Sequence, residues 1–175
     1  MNILYGFYQP DTGVIRLDGR ELSIDSPRQA LSEGIGMIHQ HFMLVDNLSV
    51  LENVILGLPG RLRLKLADHR RKLIELSAQV GLDVAPDRLI WQLPIGMHQR
   101  VEILKALYRD VEVLILDEPT SVLAPTEIDA FLQILENLRS MGKTMLFITH
   151  KLDEVFRVYD RVTVLRRGNV VGHAR

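Results

Sequence analysis

At 175 residues the chain has the length of one domain able to bury a real core, since chains of this size bury roughly 70% of their unfolded surface. Its 21 basic against 22 acidic residues leave a formal charge of -1, which exerts no general pull on nucleic acid or membrane phosphates, so a nucleic-acid partner is not expected. The absence of cysteine excludes disulfides, thiolate metal sites and cysteine nucleophiles, and no stretch approaches the roughly 20 apolar residues that span a bilayer.

In chain order, Asp11-Thr12-Gly13 and Asp18-Gly19 read as turns on either side of a short strand over residues 14–17. The apolar run 35–38 predicts a second strand. From 48 to 108 helical periodicity dominates, with helices expected over 68–80 and 96–108, so this stretch is a candidate helical subdomain inserted in an α/β core. Within it, residues 57–65, with Pro59 and Gly60, are the expected mobile loop, and their Arg and Lys side chains form a solvated face. Strands expected at 111–116, 144–149 and 161–165 then alternate with helices over 125–141 and 151–158. Continuous apolar strands alternating with helices predict a parallel sheet covered on both faces. Pro125 suits a first helical turn and Gly142 the end of the same helix.

The strongest chemical signal is Val113-Leu114-Ile115-Leu116-Asp117-Glu118-Pro119-Thr120. A buried parallel strand delivers its last residues to the carboxyl edge of the sheet, where open α/β folds bind ligands. There Asp117 can hold Mg2+ through water, while Glu118 can orient or deprotonate an attacking water.

LILDEPT resembles the Walker B motif of ABC ATPases, and the other motifs of that family have counterparts here in the same order. Gln40, after Ile38-His39, resembles the glutamine loop; Leu93-Pro94-Ile95-Gly96-Met97-His98-Gln99-Arg100 resembles the signature; His150, after Ile148-Thr149, resembles the switch histidine. Taken singly Gln40 and His150 carry little, but their order and spacing do. The resemblance implies a P-loop NTPase-like fold with an inserted helical subdomain, and ATP and Mg2+ as ligands. It assigns catalysis to Glu118, His150 and Gln40, the metal to Asp117 and Gln40, and nucleotide contacts to Ile95, Gly96, Met97 and Ser121. Gly96-Met-His-Gln-Arg-Val-Glu-Ile-Leu-Lys-Ala-Leu-Tyr-Arg109 and the loop 120–125 are most like the first halves of tandem sugar- and nucleoside-type import ATPases. The implied partners are integral-membrane permease subunits, a second ABC domain and, indirectly, a solute-binding protein, at the cytoplasmic inner face of the cell membrane.

Three departures qualify the resemblance. Pro94 stands where the family usually has serine, removing a hydroxyl and an amide hydrogen or, alternatively, stiffening the approach to the helix. Ala124 replaces the usual D-loop aspartate. No G-x-x-x-x-G-K-[ST] occurs, so the chain is expected to be an N-terminally truncated domain that begins in the helix after the phosphate loop, inactive alone. In the resembling fold the missing strand lies between those at 144–149 and 161–165, whose edges would be left open. A non-catalytic permease-docking module, with its surface around 40–51, and a soluble non-transport ABC protein are the alternative expectations.

Overall fold

The computed structural model describes residues 1–58, 65–151 and 159–174. After an N-terminal stretch of turns come β1 (Ile15–Leu17), β2 (Arg20–Leu22), α1 (Pro27–Ser32), β3 (Ile35–Ile38), α2 (Val50–Ile55) and α3 (Leu66–Val80). A single 3-10 turn (Ile90–Gln92) leads into α4 (Ile95–Leu107), followed by β4 (Val113–Asp117), α5 (Pro125–Ser140), β5 (Thr144–Ile148), β6 (Val162–Arg166) and β7 (Asn169–Ala174).

β3, β4 and β5 form a parallel sheet in that order, with Ile38 opposite Leu116 and Asp117 opposite Ile148. Strand alternation sends Ile38, Leu114 and Leu116 to one face and Ile35, Met37, Val113 and Ile115 to the other. The first face packs on α2, α4 and α5 in a single apolar cluster that also takes in Leu73 and Val80 of α3. The second face is covered by Tyr5, Ile24 and Ala30. β3 is buried throughout and β4 is buried up to Asp117, as two-sided coverage requires. Each fully buried Leu or Ile adds about 1.5–3 kcal/mol relative to exposure, so this cluster dominates the favourable side of folding.

α5 buries Phe131, Leu132, Ile134, Leu135 and Leu138, the three-to-four-residue stripe of a helix lying on a sheet. α4 is buried at seven positions, including Gln99 and Glu102, because α2 and the sheet cover different sides of it.

Two of the expected strands do not join the parallel sheet. β1 pairs antiparallel with β2 around Asp18-Gly19, and β6 pairs antiparallel with β7 around Arg167-Gly168. All four turn residues have positive φ, between 49° and 79°. Two such residues in succession make the tight turn that returns a strand on itself, so local hairpin closure decides both pairings. Among the described residues β5 bonds to β4 alone and β6 to β7 alone. A cleft of about 780 Å³ opens between them, lined among others by Leu135, Met145, Tyr159, Val162 and His173. The helix expected over 151–158 and the loop expected over 57–65 fall largely on 152–158 and 59–64, outside the described residues.

Candidate functional site at the carboxyl edge of the sheet

Because β3, β4 and β5 run parallel, the residues that follow them emerge at one edge. Gln40 follows β3 by two residues, Glu118 follows β4 directly, and His150 follows β5 by two. Gln40 Nε2 lies 3.4 Å from Glu118 Oε2, and His150 Nδ1 lies 3.2 Å from Glu118 Oε1. Each carboxylate oxygen therefore has its own partner, drawn from a different strand. The glutamine contact is at the long end of hydrogen-bonding distance.

Glu118 adopts φ +46°, a left-handed conformation costing an L-residue roughly 1 kcal/mol. Its N–H donates to Ile148 O at 3.0 Å, extending the β4–β5 ladder one bond beyond the last paired residues. The pleat thus ends at Asp117, and Glu118 is held by backbone pairing in a strained conformation. The Glu118 side chain is about one-third exposed and His150 mostly exposed, so solvent reaches the pair.

The His150 contact constrains protons. An ionised carboxylate only accepts, so Nδ1 must carry the hydrogen. In neutral His150 the Nε2 atom is then an acceptor. Donation from Nε2 to a phosphate oxygen requires either the imidazolium or release of Glu118.

The loop after Glu118 is pinned from the same edge. Ser121 N–H donates to Glu118 O at 3.1 Å, leaving the Ser121 side chain exposed. Thr120 is 1% exposed, and Lys151 Nζ donates to its carbonyl oxygen at 3.1 Å and to its hydroxyl at 3.3 Å.

Ile95, Gly96 and Met97 lie elsewhere, in the first turn of α4. Pro94 is its N-cap and makes no side-chain cap hydrogen bond; its carbonyl accepts from Met97 N–H at 2.9 Å. Gly96 packs against α5: a Cβ there would stand 2.1 Å from Glu127 Oε1, while Glu127 Oε2 accepts from Ala124 N–H at 2.9 Å. The small cleft beside it is lined by Pro94, Gly96, Gln99, Arg100, Leu123 and Glu127. The structure therefore brings Gln40, Asp117, Glu118, Ser121 and His150 to the sheet edge and sets Ile95–Met97 in a second group.

The sequence profile described as ABC transporter matches residues 1–121. The chain belongs to the ABC transporter family. It is 50% identical over 173 residues to a nucleoside import ATP-binding protein, NupA, of Lactococcus lactis subsp. cremoris, covering 98% of this chain and 34% of that protein. It is 48% identical over 172 residues to a guanosine import ATP-binding protein, NupO, of Bacillus subtilis, covering 96% of the chain and 33% of the relative. The chain thus spans about a third of the length of these curated relatives. Among solved structures, the ADP conformation of MJ1267, an ATP-binding cassette of an ABC transporter, superposes with a TM-score of 0.83 at 26% identity. That match covers 99% of this chain and 73% of the cassette.

ABC membership makes the metal question concrete. Among the described residues no group of three or more His, Asp or Glu side chains could share a metal ion. Asp117 offers one carboxylate, which suits Mg2+, an ion that retains water and takes phosphate oxygens for its other positions. The sequence reading missed Lys151, which fastens the loop after Glu118. A lysine after a strand has no spacing pattern that would mark it.

Proposed function

We propose that this ABC chain is the ATP-binding and ATP-hydrolysing part of an energy-coupling subunit of a sugar or nucleoside importer. The observation that supports this best is the meeting of Gln40, Glu118 and His150, from three separate strands, on one carboxylate at the carboxyl edge of a parallel sheet. The import ATP-binding relatives support the transport role.

Bound MgATP would supply the anhydride bond and its charge-screening metal; the remaining steps belong to this chain. Asp117, ending β4, would hold the metal through water. Glu118 takes a proton from water at one carboxylate oxygen, and Gln40 and His150 fix the direction of both oxygens. Ser121, two residues beyond Pro119, faces solvent on the same edge. Ile95, Gly96 and Met97 present the positive amino end of α4 to nucleotide held by a second ABC domain. Residues 48–108 act as a helical subdomain, and the region around 40–51 meets the integral-membrane permease, which receives solute from a solute-binding protein. The chain then works at the cytoplasmic face of the membrane.

The test is MgATP turnover by the full-length protein with its permease. Glu118→Gln, which keeps the acceptor oxygen but not the base, is expected to lower kcat by a factor of about 10²–10⁴. Turnover at the parent rate in this variant would refute the assignment. A second reading, a permease-docking module without catalysis, is favoured by Pro94, which brings neither an amide hydrogen nor a hydroxyl to the amino end of α4. Permease capture without ATP, together with no MgATP binding by the same full-length protein, would select it.

A further inference from the structure

The loop that carries Gln40 is gripped by one face of α4. Met43 N–H donates to Glu102 Oε1 at 2.8 Å, and Lys105 Nζ donates to Met43 O at 2.8 Å. The two α4 side chains lie 3.9 Å apart as an ion pair, 8% and 18% exposed. A turn earlier, His98 meets Phe42 edge-on at 5.5 Å between ring centroids, and its Nε2 lies 3.1 Å from Ile90 O. His98, Glu102 and Lys105 stand four and then three residues apart, the spacing of a single helix face. Both hydrogen-bonding groups of Met43 are thus held by charged partners, and charge-assisted hydrogen bonds are the stronger kind. Two residues on, Val45 N–H donates to Asn53 Oδ1 at 2.7 Å, and Asn53 Nδ2 returns a bond to Val45 O at 3.0 Å.

Burying a carboxylate and an ammonium together is costly, and hydrophobic residues of similar size would hold α4 against its neighbours at least as well. Burial indeed pulls the Lys105 ammonium below its usual range, with Glu102 opposing the shift and Arg109 adding to it. What hydrophobic residues could not do is bond the peptide groups of Met43. The Met43 side chain itself is 64% exposed, so the loop is not anchored there by apolar packing. Only His41 and Phe42 separate Met43 from Gln40, whose contact with Glu118 is long enough that small displacements would break it.

We propose that Glu102 and Lys105 are positioning residues that clamp the backbone of Met43 to α4 and thereby set Gln40 against Glu118. The amino end of α4 and the Gln40 loop then move together. The inference rests on the reading of Gln40 and Glu118 as parts of one site, but it concerns geometry that exists without nucleotide.

The experiment is NMR on the 175-residue chain and its variants, without nucleotide. In the parent, Glu118→Gln shifts the side-chain amide resonance of Gln40, because the acceptor at Oε2 changes. In a Glu102→Ala background that response is lost; in Glu102→Gln, which keeps an acceptor for Met43 N–H, it is retained. Lys105→Met removes the bond to the Met43 carbonyl, which water can replace, and the ion pair with Glu102, but leaves Glu102 as acceptor for Met43 N–H, and so keeps the question answerable if Glu102→Ala does not fold. There a nitroxide at His41→Cys, a unique thiol in a chain without cysteine, becomes more mobile by electron paramagnetic resonance. An unchanged Gln40 response in Glu102→Ala, or unchanged label mobility in Lys105→Met, would overturn the proposal. A purely structural role would lower thermal stability and leave both readouts alone. Loss of turnover tests the ATPase reading separately, because neither NMR nor label mobility depends on hydrolysis.

Discussion

Gly96 shows how one residue can serve two contacts. A glycine at an exposed helix start is available for close approach by a ligand, but here α5 already approaches it through the Glu127 carboxylate. Alanine at 96 would displace that carboxylate, the movable end of a flexible side chain, and with it the bond to Ala124 N–H that caps α5. Loss of such a cap costs about 1 kcal/mol, while alanine gains up to about 1 kcal/mol in helix propensity over glycine. The two nearly cancel, so the informative quantity is their coupling. Gly96→Ala is expected to be neutral to mildly destabilising in the parent and stabilising in a Glu127→Ala background, with a coupling of about 1 kcal/mol from urea unfolding. Additivity would show that the two residues do not touch. Glu118 stood out in the sequence as an acid closing an apolar strand, and Gln40 and His150 through the order of motifs in the family the sequence resembles. The Gly96–Glu127 contact was not, since it depends on how α4 and α5 cross, and neither residue signals the other.

α2 illustrates what an element needs when it is short. Six residues are too few to sustain a helix alone, so its ends and packing decide. Ser49 accepts from Glu52 N–H at 3.2 Å while Glu52 Oε2 accepts from Ser49 N–H at 2.8 Å, a closed capping box. Behind it Val50, Leu51, Val54 and Ile55 are buried. Ser49→Ala is expected to cost about 1 kcal/mol by urea unfolding. The Ser49 backbone and hydroxyl bonds hold the Glu52 carboxyl below its usual range. A depressed folded value means the contribution is complete above the unfolded value of about 4.3 and fades as pH falls through the lower folded one. The stability gap between the parent and Glu52→Gln should therefore be wider at neutral pH than below about pH 3, and a gap that grows on acidification would contradict the capping assignment. At this scale the central strands and α3 to α5 followed from periodicity and apolar runs. The pairing of β6 with β7 did not, because Arg167-Gly168 lacks the Asn-Gly or Asp-Gly signature of a two-residue hairpin, and 169–174 carries a glycine and a histidine among its apolar residues.

The described residues make a well-packed side and a less packed one. From α2 to β4 the apolar clusters are continuous, whereas among the described residues β5 has its partner on one side only and keeps Met145, Leu146, Phe147 and Ile148 only partly buried. The β6–β7 hairpin, which lines the cleft through Val162, Thr163, His173 and Ala174, leaves Val164, Leu165, Val170 and Val171 49–66% exposed. A parallel sheet edge with unpaired amides and carbonyls is a template for another strand, and exposed branched residues on the hairpin favour sheet over coil. Charge does not oppose association either, because a net charge of -1 gives almost no mutual repulsion. The 175-residue chain is therefore expected to self-associate through this edge and the exposed hairpin residues. Light scattering after size exclusion should show mass rising with concentration, and Leu165→Lys with Val171→Lys should shift the distribution toward monomer at equal concentration. The same substitutions leave the Gln40–Glu118–His150 cluster untouched, so the Gln40 amide response to Glu118→Gln should survive them. A chain that stays monomeric at every concentration would mean that the edge is protected by something other than pairing.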